Sequence, residues 1–234
     1  MLLEERRDIT WLSFGLAFVG GYGDAASFIL AKTFTGHITG NFVLTAISIA
    51  GQDWPTFFHR VLAIVLFLIG ILLSVILERL VARKSSWSLL PTAMGLEIVL
   101  IALAYFALVS PLAARLELFV ICMALALGLQ NGAWREAGGI SVHSTYITGM
   151  VTSLLTSGAQ RYIAKAARAS GLDPKVSLLS GIWFAFALGA ALGAALVFRF
   201  AALGILGAAL VLLALLIHQS ATTWRRRSLN CQSP

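Results

Sequence analysis

The sequence predicts an all-α membrane protein with six transmembrane helices, arranged as two inverted three-helix repeats that each carry a short polar-faced helix. The first observation is composition. Hydrophobic residues make up 59% of the chain and charged residues 12%, whereas a soluble domain has about 25% charged residues. The mean hydropathy is +0.90. These values exclude an ordinary soluble domain and indicate a chain that crosses the membrane several times.

The second observation is a motif that occurs twice. Residues 21–25 (Gly-Tyr-Gly-Asp-Ala) are echoed by residues 128–132 (Gly-Leu-Gln-Asn-Gly), and residues 38–40 (Ile-Thr-Gly) by residues 147–149 (Ile-Thr-Gly). The offsets are 107 residues (131 − 24) and 109 residues (148 − 39). Chance likeness is the alternative, since glycine and threonine are common in membrane helices. The segments that follow each motif also match, which favours a duplicated unit.

Six stretches are apolar over about the 20 residues that a membrane-spanning helix needs. They lie at 11–30, 58–78, 90–109, 117–134, 177–198 and 201–218. Only Arg199 and Phe200 separate the last two, which therefore form a tight hairpin or have their boundary elsewhere. Two further stretches, 38–51 and 147–159, are too short to span comfortably and are re-entrant or interfacial.

The basic residues indicate which segments face the cytoplasm. With six spans and a cytoplasmic N-terminus, four of the 17 Lys and Arg residues lie outside, and the remaining 13 (17 − 4) lie inside. The four outer residues are Lys32, Arg60, Arg115 and Arg199. Because basic residues mark the cytoplasmic side, we expect both termini in the cytoplasm of a bacterial cell and the chain in its inner membrane.

A unit of three spans ends on the opposite side of the membrane from where it began. The second unit then enters from the opposite face, so the sequence predicts inverted repeats, a common arrangement in secondary transporters. We place repeat one at about 8–112, repeat two at about 115–220 and a cytoplasmic basic tail at 221–234, all within one membrane domain, 1–234.

Polar side chains recur at helical spacing in both short stretches. These are Asn41, Thr45 and Ser48 in the first, and Thr148, Thr152 and Thr156 in the second. Such a stripe can line a wet cavity, or its hydroxyls can bond to backbone carbonyls and to neighbouring helices. Thr39 and Thr148, each just before a glycine (Gly40 and Gly149), are candidate helix N-caps.

Two acids interrupt the apolar spans. A carboxylate within a membrane helix costs at least ~2.5–3.5 kcal/mol and usually faces a cavity or a partner. Asp24 and Glu97 are therefore candidates for proton coupling, and His37 or Arg135 is a candidate partner of Glu97. The alternative is that both acids lie near an interface and are merely hydrated.

The motifs and stripes together define a candidate solute site between the repeats. Its expected residues are Asp24, Ser27, His37, Thr39, Gly40, Asn41, Thr45, Gln130, Asn131, Thr145, Thr148, Gly149 and Thr152. No catalytic motif, phosphate loop or metal-ligand spacing accompanies them. We therefore expect no enzyme, no cofactor and no metal, and as partners membrane lipids and a small polar solute but no nucleic acid.

The motifs also resemble those of the YoaK family of bacterial membrane proteins, whose function is unknown. The matching features are Gly-x-x-Asp-Ala at 21–25, Phe34-Thr35 before Thr39-Gly40-Asn41, the segment 128–131, and Thr145-x-x-Thr148-Gly149, with Gly132 in place of an expected alanine. The resemblance implies a multi-pass inner-membrane protein and no substrate.

Three functions remain at this point. The first is secondary transport of a small polar solute, which requires Asp24, Asn41, Asn131 and the threonine stripes to line one cavity. The alternative is a non-transporting scaffold or regulatory protein, which requires their polar atoms to be paired with protein. An intramembrane enzyme is the third.

Overall fold

A computed structural model describes residues 3–82, 89–137, 140–141 and 174–230, and the single positions 152, 155, 156 and 159. Its helices are α1 (Leu3–Ala31), α2 (Ile38–Ala50), α3 (Trp54–Ala82), α4 (Leu89–Val109), α5 (Arg115–Ala133), α6 (Pro174–Phe200) and α7 (Leu206–Asn230). A 3₁₀ helix, Ala201–Ile205, joins α6 to α7. An antiparallel pair of two-residue strands, β1 (Glu136–Ala137) and β2 (Ile140–Ser141), follows α5.

The prediction of a helical, multi-pass membrane protein is confirmed. Five segments of the described chain are long and apolar enough to cross a membrane, and the last of them, Lys175–Thr222, covers most of both α6 and α7. Helices suit this role because every backbone polar group finds a partner within the segment, where lipid offers none. The strand pair is the one departure from an all-α chain within the described residues.

The turn between α6 and α7 corrects one predicted boundary. Ala201 has a left-handed backbone with φ of 50°, which ends α6. Gly204 then lies against α6, since a Cβ there would stand 2.7 Å from the carbonyl carbon of Leu196 and 2.8 Å from Cα of Val197. The chain therefore turns back against the end of α6, and the next helix begins at Leu206 and not at residue 201. The boundary lies elsewhere, as the second of the two alternatives proposed.

Helices α3 and α5 run parallel. His59 near the start of α3 lies 3.3 Å from Glu117 near the start of α5, and Glu78 near the end of α3 lies 2.8 Å from Arg135, just after α5. Between these pairs the backbones touch at a glycine crossing: a Cβ at Gly70 would stand 2.9 Å from Cα of Gly128.

Helices α1 and α6 also run parallel, since Phe14 meets Gly181 and Tyr22 meets Gly193, and between these contacts they cross at glycines. Gly21 lies against the carbonyl of Phe186, and Gly189 lies against the carbonyl of Phe18. One turn further on, the ring of Tyr22 fills a space walled by three glycines, Gly193, Gly204 and Gly207, and its hydroxyl donates a hydrogen bond to the Gly204 carbonyl. The backbone at Gly204 is therefore closely packed against both α6 and Tyr22.

Helices α1 and α5 run antiparallel. The Gln130 amide donates to the Leu16 carbonyl at 3.0 Å, while a Cβ at Gly23 would stand 3.1 Å from Cδ1 of Leu127 and 3.4 Å from Cε of Met123. Residue numbers thus rise along α1 as they fall along α5. The main hydrophobic core is formed by α1, α4, α5 and α7.

Candidate functional site

The candidate site lies at the end of α1, in the short loop of residues 32–37 that leads into α2. Asp24, two turns before the helix ends, is buried. Its Oδ1 accepts hydrogen bonds from the backbone N–H groups of Thr35 at 3.0 Å and Gly36 at 2.6 Å. Hydrogen bonds to an ionised carboxylate are about twice as strong as neutral ones, so Asp24 fixes the loop over the end of its own helix.

The second oxygen of Asp24 is different. Oδ2 has no hydrogen-bond partner among the described residues, and it lies 4.0 Å from Nδ1 of His37. The His37 side chain is 32% exposed and that of Asp24 is 5% exposed. Burial lowers the pKa of the His37 imidazole below its usual value, because desolvation disfavours the charged form.

Asn41 in α2 completes the loop. Its amide donates to the Phe34 carbonyl at 2.6 Å and its Oδ1 accepts from the Phe34 N–H at 3.1 Å. The hydroxyls of Ser27 and Thr35 bond to each other at 2.9 Å. A Cβ at Gly40 would stand 3.2 Å from both the Phe34 and His37 rings, so the glycine allows close packing within the protein.

Arg60, on α3, holds three elements together, although the distribution of basic residues predicts only an outer cation at this position. Its Nε and Nη2 donate to the Lys32 carbonyl at 3.4 and 3.3 Å, and its Nη1 donates to the Leu44 carbonyl and the Ser48 hydroxyl. The side chain is buried. An arginine within an otherwise apolar span is costly unless it has partners, and that cost was the available signal. Leu44 and Ser48 of α2 therefore lie at the same end of the bundle as Lys32.

The start of α2 and its polar stripe differ in how well they match the predictions. Thr39 as an N-cap is wrong: the helix begins at Ile38 after His37, which makes no side-chain cap bond, and Thr39 is exposed in the first turn. The polar stripe lies inward but is paired, since Thr45 donates to the Asn41 carbonyl at 2.6 Å and Ser48 accepts from Arg60. These groups bond to protein, as the second interpretation of the stripe proposed.

The second copy of the motif is described only in part. Gln130 is buried, with Oε1 unpartnered among the described residues, and Asn131 is half-buried on α5. Thr152 is exposed, and its carbonyl accepts a hydrogen bond from Thr156 at 2.8 Å. Thr145, Thr148 and Gly149 lie outside the described residues, and so does the predicted cap at Thr148.

Glu97 lies on α4 and is completely buried. Neither carboxylate oxygen has a hydrogen-bond partner within the described ranges. Arg135, considered as its partner, pairs with Glu78 instead, and His37 lies beside Asp24. Glu97 is thus a buried acid without a cation beside it in the described part of the chain.

Residues 12–218 match the model of a family described as "Protein of unknown function (DUF1275)". The chain belongs to the DUF1275 family. A similar protein is the UPF0700 transmembrane protein YoaK of Bacillus subtilis (strain 168), 31% identical over 145 residues, which are 60% of this chain and 63% of YoaK. This DUF1275 chain thus aligns with less than two thirds of that relative. The predicted resemblance to the YoaK family is confirmed, and no solved structure matches the chain.

Proposed function

We propose that this DUF1275 protein is a secondary transporter of a small polar solute in the bacterial inner membrane, with its site between two inverted repeats near the midplane. The proposal has no enzymatic step. The observation that carries it is a pair of helix crossings that use equivalent residues of the two units. Buried acids in the spans add a means of coupling.

The two crossings match residue by residue. Gly21 touches Phe186 and Gly128 touches Phe67; Gly189 touches Phe18 and Gly70 touches Leu125. The first-helix members are offset by 107 residues in both cases (128 − 21 and 125 − 18), and their partners by 119 residues in both cases (186 − 67 and 189 − 70). Such agreement supports a duplicated unit, since unrelated helices have no reason to repeat both offsets.

The directions of the helices support inversion of that unit. Equivalent helices of inverted repeats must run in opposite senses, and α1 and α5 are antiparallel. Each of them packs in parallel against the second long helix of the other unit. Inverted repeats meeting at small-residue crossings are a recurrent design of transporters, in which the solute site lies at the interface of the repeats.

Glu97 and Asp24 support coupling to protons or cations. Burying a carboxyl in a membrane span costs several kcal/mol. Glu97 has no hydrogen-bond partner among the described residues that would offset this cost. An acid that gains and loses a proton between two conformations would account for that retention. The solute remains defined only by class, as small and polar.

A non-transporting scaffold is the second candidate, and a specific observation favours it. Asp24 Oδ1, Asn41 and Ser48 all bond to protein, as a device that only locks helices together would require. The two functions make different use of Glu97. A transporter can use its carboxyl for coupling, whereas a scaffold that only holds helices together does not need a buried acid.

The test uses purified full-length protein in liposomes. Solute-evoked currents and pH-driven uptake are measured over a panel of small polar solutes, for the wild type, Glu97→Gln and Asp24→Asn. The exposed acid Asp53 provides the matched control, Asp53→Asn. We expect the two buried variants to lose gradient-driven uptake and to keep solute exchange without a gradient, and the control to behave as wild type. Folded protein that responds to no solute would favour the scaffold. Full gradient-driven uptake in both variants would leave transport standing and would show that neither Glu97 nor Asp24 couples it to the gradient.

A further inference from the structure

Asp24 and His37 form a buried acid and a half-exposed base with no assigned role as a pair. We propose that His37 carries protons between the aqueous phase at the Lys32 end and Oδ2 of Asp24. The inference deepens the proposed transport function and rests on it. In this proposal the coupling ion is the proton, and it reaches Asp24 through the side chain of His37.

The two carboxylate oxygens of Asp24 differ in their hydrogen bonds. Oδ1 is occupied by the Thr35 and Gly36 N–H groups, so it is not the oxygen that a proton reaches. Oδ2 has no described hydrogen-bond partner, and Nδ1 of His37 is 4.0 Å away. That separation exceeds the 2.7–3.2 Å of a hydrogen bond and is closed by a small ring movement or by one bridging water.

Competing charged groups lie elsewhere. Among the described residues, His37 is the basic side chain with a nitrogen within 4.0 Å of Asp24. Lys32 is exposed, and Arg60 donates to the Lys32 and Leu44 carbonyls and to Ser48. At the neighbouring Gly23, α5 presents the apolar side chains of Leu127 and Met123, and at Gly21, α6 presents the backbone carbonyl of Phe186, so neither contact brings a charged group.

The transfer balances at the imidazole. Neutral His37 accepts a proton from solvent at one ring nitrogen and releases the proton of Nδ1 to Oδ2 of Asp24. The imidazole ends neutral in its other tautomer, and the carboxylate becomes a carboxylic acid. Burial lowers the pKa of His37, which suits this role because a histidine that stays neutral near pH 7 holds the proton only briefly.

The arrival of the proton also changes the loop. Neutral Asp24 accepts more weakly than the carboxylate from the Thr35 and Gly36 N–H groups, because charge-assisted bonds are about twice as strong as neutral ones. Protonation at Oδ2 therefore loosens residues 32–37 where they cover the end of α1. The same step that loads the proton prepares this end of the bundle to open.

The test measures protonation itself and needs no solute. Full-length protein in liposomes is subjected to a rapid drop in external pH, and the infrared carboxyl band of Asp24, assigned by its absence in Asp24→Asn, is followed in time. General acid–base groups contribute about 10²–10⁴-fold, so we expect His37→Ala to slow the rise of the band at least about tenfold with its final height unchanged. Imidazole in the buffer should restore the rate. His59→Ala is the matched control, because His59 lies at the same end and pairs with Glu117.

Two results would overturn the relay. An unchanged rate in His37→Ala means that protons take another route, and a slowed rate that imidazole does not restore means that His37 only supports the loop. If His37→Ala does not fold, His37→Gln, which keeps the bulk of the side chain, is measured in the same way. Normal relay kinetics in a protein that transports no solute would leave the relay standing and refute transport.

Discussion

At the scale of single residues, Asn41 acts as a substitute for backbone. It satisfies both the N–H and the carbonyl of Phe34, as a neighbouring strand would. Asn41→Ala leaves both groups without that partner, and one unsatisfied buried group costs about 1–3 kcal/mol. We expect a loss of stability of that order, measured as a lower thermal unfolding temperature in detergent. Thr39→Ala, at an exposed position in the same helix, should leave the temperature unchanged.

Arg60 tests whether charge or shape secures the loop. Its planar guanidinium reaches two carbonyls and a hydroxyl, whereas the single ammonium of a lysine cannot span them. Arg60→Lys should therefore lower the unfolding temperature, and faster proteolysis between residues 32 and 37 should accompany the change. Arg115→Lys, at an exposed arginine at the same end, is the control. Equal stability of the two variants would show that charge alone suffices.

Local sequence predicted which residues face inward but not what they bind. The spacing of Asn41, Thr45 and Ser48 correctly gave one face of α2. The cap at Thr39 was wrong because a hydroxyl before the helix is only one of several ways to satisfy a first turn. The chosen way depends on a loop whose path is set by the left-handed backbone of Lys32, φ 54°. A left-handed lysine carries no local signal of the kind a glycine would give.

At the scale of elements, the glycine crossings decide which helices can approach. A Cβ at Gly128 would overlap the Phe67 carbonyl, and one at Gly21 would overlap the Phe186 carbonyl, whereas a Cβ at Gly95 meets nothing within 4 Å. Overpacking costs about 1–3 kcal/mol. Gly128→Ala and Gly21→Ala should each destabilise by that amount, and Gly95→Ala should be neutral or stabilise, in chemical or thermal unfolding. Similar changes in stability for all three variants would show that the glycine crossings do not determine which helices pack together.

The span positions were predictable because apolar length alone identifies a membrane helix. Four of the six predicted spans lie within helices that extend at most eight residues (11 − 3) beyond either predicted end. Small residues such as Gly70 and Gly189 allow helices to approach closely, but they do not indicate which helices meet: α3 packs on α5 and α1 on α6. Which helices pack together depends on the whole chain. The start of α7 depends on the left-handed backbone of Ala201, and no glycine at that position indicates such a turn in the sequence.

At the scale of the whole molecule, the parallel and antiparallel contacts predict sidedness. Lys32 and Arg60 lie at one end of the bundle, and Glu78 and Arg135 at the other. With the N-terminus in the cytoplasm, reporter fusions after residues 86 and 227 should read cytoplasmic, and a fusion near 113 should read external. A cytoplasmic reading at 113 would contradict both the six-span topology and the inversion of the repeats.

The packing of α1 on α6 and of α3 on α5 has a consequence for biosynthesis. When α1 leaves the ribosome, the helix it packs against has not yet been translated, since Phe186 follows Gly21 by 165 residues (186 − 21). The nascent first half therefore waits in the bilayer with Gly21 and Gly70 uncovered. Each half made alone, 1–114 or 115–234, should be degraded by membrane proteases, whereas the two made together should assemble and co-purify. Half-lives from pulse-chase labelling would measure this dependence of each half on the other.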